Sequence, residues 1–361
     1  MSSPNQRFLN SFIQVLPKIQ NHQLLLPSIN QLLESSSCSS ATTMEVGEEL
    51  STMATLSKST AVTACVAMTL LYVAILYAPT LIFRLPSPTS YQQFMIRRFV
   101  CAAASSLLCV FISSFLLLPV KSWTIAYVLN LYGIQADHVW HAVIFPLALT
   151  SLVYAGSLVL KCLLLLDSWI EDGSEGNTLN CLHNLLHKIY CGFISVASNI
   201  GAWRNLVVAP ITEELVFRAC MIPLLLCGGF KVQAVLLLCP MFFSLAHLNH
   251  LLEFYFRKNH SLLKTSIAVG TQLAYTMIFG SYASFLFIRT GHLSAPLVAH
   301  IVCNYMGLPA VYARKKGVVV SLAFISGTIA FVRLIFPLTS PALYNNRTDN
   351  CHCWHGYCSW S

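Results

Sequence analysis

Glu213, Glu214 and Arg218 stand together in the stretch 210–218, Pro-Ile-Thr-Glu-Glu-Leu-Val-Phe-Arg, within a chain that otherwise avoids charge. In an apolar setting each ionisable group is a functional-site hypothesis whose partner has to be named. On a helix Glu214 and Arg218, four residues apart with the acid first, share a face and pair. Glu213 is turned about 100° from its neighbour. Arg218 therefore neutralises Glu214 and leaves Glu213 to take a proton. Two other apolar segments carry polar side chains: His247 follows Phe243 by four residues, and His300 and Asn304, also four apart, share one helix face. These are sufficient parts for hydrolysing an amide. Glu213 can act as general base toward a water, with His247 holding that water and passing the proton on. The His300 N–H and the Asn304 amide are donors for the developing oxyanion, where one donor is typically worth about 3–4 kcal/mol.

The elements that must position these groups are membrane helices. Of 361 residues, 56% are hydrophobic and 9% charged, against roughly 25% charged in an ordinary soluble domain. Runs near 60–83, 99–120, 139–166, 210–229, 232–252, 265–288, 292–312 and 317–338 meet the length of ~20 apolar residues needed to cross a bilayer. The fold class expected is all-α, a polytopic membrane protein of about eight transmembrane helices around an intramembrane catalytic cavity, since helices satisfy every backbone group within one segment. The less apolar stretch 189–208, with Trp203 and Arg204, is assigned to the interface. Pro210, Pro240 and Pro296 each precede one of the polar groups, and a proline frees backbone that is tolerated at membrane depth where it lines a cavity. If Pro210 instead begins its helix, Glu213 lies in the first turn.

The net charge of +8 sits in short loops (Arg84, Arg97, Arg98; Arg257, Lys258, Lys264; Arg314, Lys315, Lys316). That distribution favours topology control, and no nucleic-acid partner is expected; the positive-inside rule puts all three clusters in the cytosol and both termini in the lumen. The 14 cysteines are mostly single and set in apolar runs, with no disulfide framework. Three regions follow: a tail 1–58 expected to be disordered, a transmembrane enzyme domain 59–340 with its motifs at 204–309, and a Cys/His-rich end 341–361 whose 351–358 cluster matches no zinc spacing. Asn259 and Asn346 open glycosylation sequons.

Three other chemistries are weighed. A zinc-dependent membrane metalloprotease could draw on His247, His250, Glu253 and Glu213, but no His-Glu-x-x-His occurs. A cysteine nucleophile has only Cys303 beside the motifs, turned about 100° from Asn304. A transporter or non-catalytic scaffold would use buried charge as an ion path or as packing glue; no repeat supports the first, and the second leaves Glu213 unexplained.

At these residues the sequence resembles the type II CaaX prenyl endopeptidases, the Ras-converting CaaX proteases of the endoplasmic reticulum. The family's Glu-Glu-x-x-x-Arg, Phe-x-x-x-His and His-x-x-x-Asn motifs fall, in order, on Glu213, Glu214 and Arg218, on Phe243 and His247, and on His300 and Asn304. Arg204-Asn205-Leu206-Val207-Val208-Ala209-Pro210 before the first motif agrees as well. The resemblance implies removal of the C-terminal tripeptide from farnesylated or geranylgeranylated CaaX proteins by a glutamate-based mechanism without metal or cofactor. Glu213 and His247 would activate water, and His300 and Asn304 would stabilise the oxyanion, with Glu214, Arg218 and Phe243 in support. It further implies a multi-pass protein of the endoplasmic reticulum membrane whose site opens to the cytosol and to lipid, where a prenyl tail partitions.

Overall fold

The computed structural model describes residues 56–86, 88–117, 129–172, 187, 190–192, 194–248, 262–313 and 316–344, all within the unit Ala54–Ser361. Outside them lie nearly all of the N-terminal tail, Arg257, Lys258, Arg314 and Lys315, the two sequons, His250 and Glu253, and the 351–358 cluster. Among the described residues every regular element is helical.

Helices α1 (Lys58–Ile75) and α2 (Tyr91–Leu117) form an antiparallel pair at the start. Ser57 caps α1, its hydroxyl accepting from the Thr60 N–H at 3.1 Å, which satisfies one of the first turn's orphan donors. Helices α3 (Val139–Val153) and α4 (Ala155–Asp172) come from the run expected to be a single span, yet they bend by 78° at Tyr154. Tyr154 leaves helical geometry (φ −94°, ψ 12°). Its buried hydroxyl donates to the Gly307 carbonyl at 2.6 Å and meets the Tyr275 hydroxyl at 2.8 Å, so the bend is held by fixed polar partners. Helix α9 (Gly317–Leu338) packs across both halves. Among the described residues three helices, α1, α2 and α9, are each long and apolar enough to cross a bilayer, and the bent pair makes up to a fourth. The chain is a multi-pass membrane protein; eight such spans were expected from sequence.

Helix α5 runs unbroken through 200–227 in five pieces: Ile200–Trp203, Arg204–Val208, Ala209–Glu214, Leu215–Cys220 and Met221–Cys227. The second and fourth are π-helical. The division expected between a surface segment ending at 208 and a span opening at 210 is therefore absent, and Pro210 neither starts nor breaks the helix. A proline has no N–H and crowds the carbonyl four residues back, and the wider π turn just before it relieves both problems. From Val216 to Leu226 every residue is buried, so this half of α5 is covered on all faces by α1, α2 and α6 (Val232–Ala246) and forms the centre of the bundle.

Helix α6 packs along α7 (Leu262–Thr290), and small polar residues close the seam. Ser281 donates to the Leu236 carbonyl at 3.0 Å, and Ser244 meets the Thr276 hydroxyl at 3.2 Å. Such residues let helix backbones approach where lipid supplies no hydrophobic drive. The helices approach closely at Gly280, where a Cβ would lie 2.9 Å from the Pro240 Cβ and 3.4 Å from Arg218 Nη2. Gly280→Ala is expected to destabilise the protein by about 1–3 kcal/mol, the usual penalty for overpacking. Thermal unfolding in detergent measures it. After a turn at Gly291 (φ +67°), α8 (Ser294–Met306) returns along α7 and brings its polar face to α5.

Candidate active site

The middle of α5 supplies the charge. Glu214 and Arg218 are both fully buried and pair as the spacing predicts, with Nη1 donating to Oε1 at 2.9 Å. Arg218 Nη2 also donates to the Gly280 carbonyl at 3.5 Å, and the guanidinium lies 4.5 Å over the Phe243 ring. A desolvated cation over an aromatic face is attracted by the ring quadrupole. Phe243 thus carries the second helix to the first, and its own carbonyl accepts from His247 Nδ1 at 2.8 Å. His247 stands at the C-terminal end of α6, its ring edge-on to Phe243 at 4.7 Å between centroids.

His300 sits between the two carboxylates. Its Nδ1 donates to Glu214 Oε1 at 2.7 Å, which leaves Nε2 facing Glu213 Oε2 at 3.7 Å. Glu214 is therefore more than the counter-ion of Arg218, because it also fixes which ring nitrogen of His300 turns toward Glu213. Asn304 is exposed and donates through Nδ2 to the Asn205 carbonyl at 2.8 Å, tying α8 to the π-helical start of α5.

Glu213, 17% exposed, opens with His247 onto a pocket of about 620 Å³ free of protein atoms, counting its mouth. The ends of α1 and α2 form the opposite wall, with Tyr72, Arg98 and Phe99, and Arg204 and Thr212 line it from α5. The structure thus brings Glu213 and His247 into one pocket, sets His300 directly behind Glu213, and holds Asn304 on α8 outside the lining. Among the described residues no three His, Cys, Asp or Glu side chains are grouped to hold a metal ion.

Two lining arginines and Tyr72 did not emerge from the sequence as site residues. Arg98 reads as a loop charge and Arg204 as part of an interfacial segment. In a regular α-helix Arg204 and Glu213, nine residues apart, would face opposite ways. The π turn at Arg204–Val208 accumulates less rotation and brings both to the same cavity. Tyr72, whose hydroxyl meets Thr212 Oγ1 at 3.0 Å, sits in an ordinary apolar run.

Membrane helices around a pocket that joins a carboxylate to a histidine suit a polytopic membrane hydrolase. Residues 196–306 match the family model described as Type II CAAX prenyl endopeptidase Rce1-like. The chain is 57% identical over 306 residues to CAAX prenyl protease 2 of Arabidopsis thaliana, covering 85% of this chain and 98% of that protein. It is 34% identical over 238 residues to CAAX prenyl protease 2 of Homo sapiens (60% and 64% covered) and 30% identical over 178 residues to that of Saccharomyces cerevisiae (45% and 55%). No solved structure matches. The chain belongs to the type II CaaX prenyl endopeptidases, and it is accordingly a CaaX endopeptidase, a peptide-bond hydrolase.

Proposed function

We propose that the chain removes the C-terminal tripeptide from farnesylated or geranylgeranylated CaaX proteins, using Glu213 as general base and His247 to hold the attacking water. The observation that carries this reading is the shared pocket of Glu213 and His247, with His300 Nε2 3.7 Å from Glu213. A base works only within hydrogen-bond reach of the proton it takes, directly or through one water, and the pocket that Glu213 and His247 both line is where such a water would be held. The oxyanion is assigned to His300 and Asn304, which lie outside the pocket lining; with its Nδ1–H given to Glu214, His300 donates from Nε2 only when that nitrogen also carries a proton. Asn304 commits one of its two amide hydrogens to Asn205 and keeps the other for this purpose. Glu214, Arg218 and Phe243 position these groups without touching substrate.

The reading includes eight spans, the site at membrane depth, residence in the endoplasmic reticulum and access from the cytosol, with the catalytic domain at 59–340 and tails on either side. A prenyl chain anchored in lipid would carry its peptide to such a site pre-concentrated, each buried CH₂ adding about 0.8 kcal/mol of membrane affinity. The test is to incubate membranes containing the protein with a farnesylated CaaX peptide and its unprenylated counterpart and to identify the products by mass spectrometry. Release of the intact tripeptide from the farnesylated peptide alone is expected. Stepwise release of single residues, or equal cleavage of both peptides, would refute the reading.

A further inference from the structure

Of the side chains lining the pocket, Arg98 and Arg204 are the two that a water-activating site has no use for. Besides Tyr72, the remaining ionisable lining groups are Glu213 and His247, so the cavity is lined by one carboxylate and two permanent cations. Arg204 makes no ion pair or hydrogen bond among the described residues, and the Arg98 guanidinium stacks 5.4 Å from the Phe94 ring, which orients its plane. The two come from different helices, α2 and α5, and converge on one space. Planar guanidinium groups so placed match a carboxylate, which accepts paired N–H donors.

We propose that Arg98 and Arg204 bind the free α-carboxylate at the end of the CaaX peptide; this rests on the pocket being the peptide site. The distances agree with that role. Arg204 precedes Glu213 by nine residues on α5, a rise of at most roughly 13 Å, the value for a regular α-helix, which the wider π turn shortens. A tripeptide in extended form spans about 10 Å, and a flexible arginine side chain covers the difference. With the scissile carbonyl at Glu213, the carboxylate three residues on therefore arrives at Arg204, and Arg98 lines the same space from α2. The same separation keeps the substrate's negative end away from the catalytic carboxylate, where like charges would repel. The pair then works as a ruler: a tail of three residues reaches it, and a shorter one ends before the cations.

The test compares two farnesylated peptides of identical sequence, one ending in a free carboxylate and one in a carboxamide, cleaved by the full-length chain reconstituted in lipid. Hydrogen bonds to a charged group are worth enough that the wild type should favour the acid by roughly 10-fold to 100-fold in kcat/KM, expressed mainly in KM. Arg98→Gln and Arg204→Gln should each narrow that acid-to-amide ratio by about 10-fold, while Arg204→Lys, which keeps the charge, should restore part of it. Because the ratio is taken within each variant, it does not depend on how much protein folds. A wild type that cuts acid and amide equally, or arginine variants that slow both in parallel, would overturn the carboxylate assignment and leave the catalytic reading standing. A wild type that releases the tail from neither peptide would overturn the pocket as the peptide site, and this assignment with it.

Discussion

Glu213→Gln is expected to lower the rate of tripeptide release by roughly 10²-fold to 10⁴-fold, the usual contribution of a positioned general base. Glutamine keeps the size of the side chain and its capacity for hydrogen bonds, and loses only the ability to accept the proton of the attacking water. The folded state should tolerate the exchange, because Glu213 is partly exposed at the pocket wall and its nearest ionic neighbour, His300 Nε2, is 3.7 Å away and already anchored on Glu214 through its other nitrogen. The variant should therefore accumulate in membranes as the wild type does while its kcat collapses and KM changes little. Release of the tripeptide from a farnesylated peptide, normalised to protein level, measures this. Activity within 10-fold of wild type would remove Glu213 from the role of base.

Much of this arrangement was legible in the sequence because it depends on short-range helical spacing. Four-residue intervals bring Glu214 to Arg218 and set Phe243 beside His247, and both contacts are present. The place of His300 was only half visible. That it lies on a polar face with Asn304 follows from spacing, but its bridge between Glu213 and Glu214 depends on how α8 docks against α5, which no local pattern encodes. The π-helical turns were not legible at all, although the one at Arg204–Val208 decides which side chains reach the pocket. The bend at Tyr154 was likewise hidden in a continuous apolar run, because its hydrogen-bond partners, Tyr275 and Gly307, are more than a hundred residues away.

Breaking the buried ion pair should have the largest effect on stability. Arg218→Ala and Glu214→Ala are each expected to destabilise the protein by about 3–5 kcal/mol, since each leaves an uncompensated charge in the most enclosed part of the bundle. The arginine is the more exposed to this cost, because its guanidinium also bonds the Gly280 carbonyl and stacks on Phe243, so its loss opens space between α5, α6 and α7. The pair itself is imperfect. Glu214 Oε1 is shared by Arg218 and His300, while Glu214 Oε2 and Arg218 Nε have no hydrogen-bond partner among the described residues. Apolar residues of similar volume often replace such a pair with no loss of stability. The double variant Glu214→Leu/Arg218→Met should accordingly recover most of the thermal stability that either alanine variant loses. It should not recover activity, because His300 Nδ1 would have no acceptor and Nε2 would no longer be held toward Glu213. Unfolding temperature in detergent and tripeptide release, measured on the same preparations, separate the two effects. A double variant that is both stable and active would show that the pair only packs the helices and does not position the histidine.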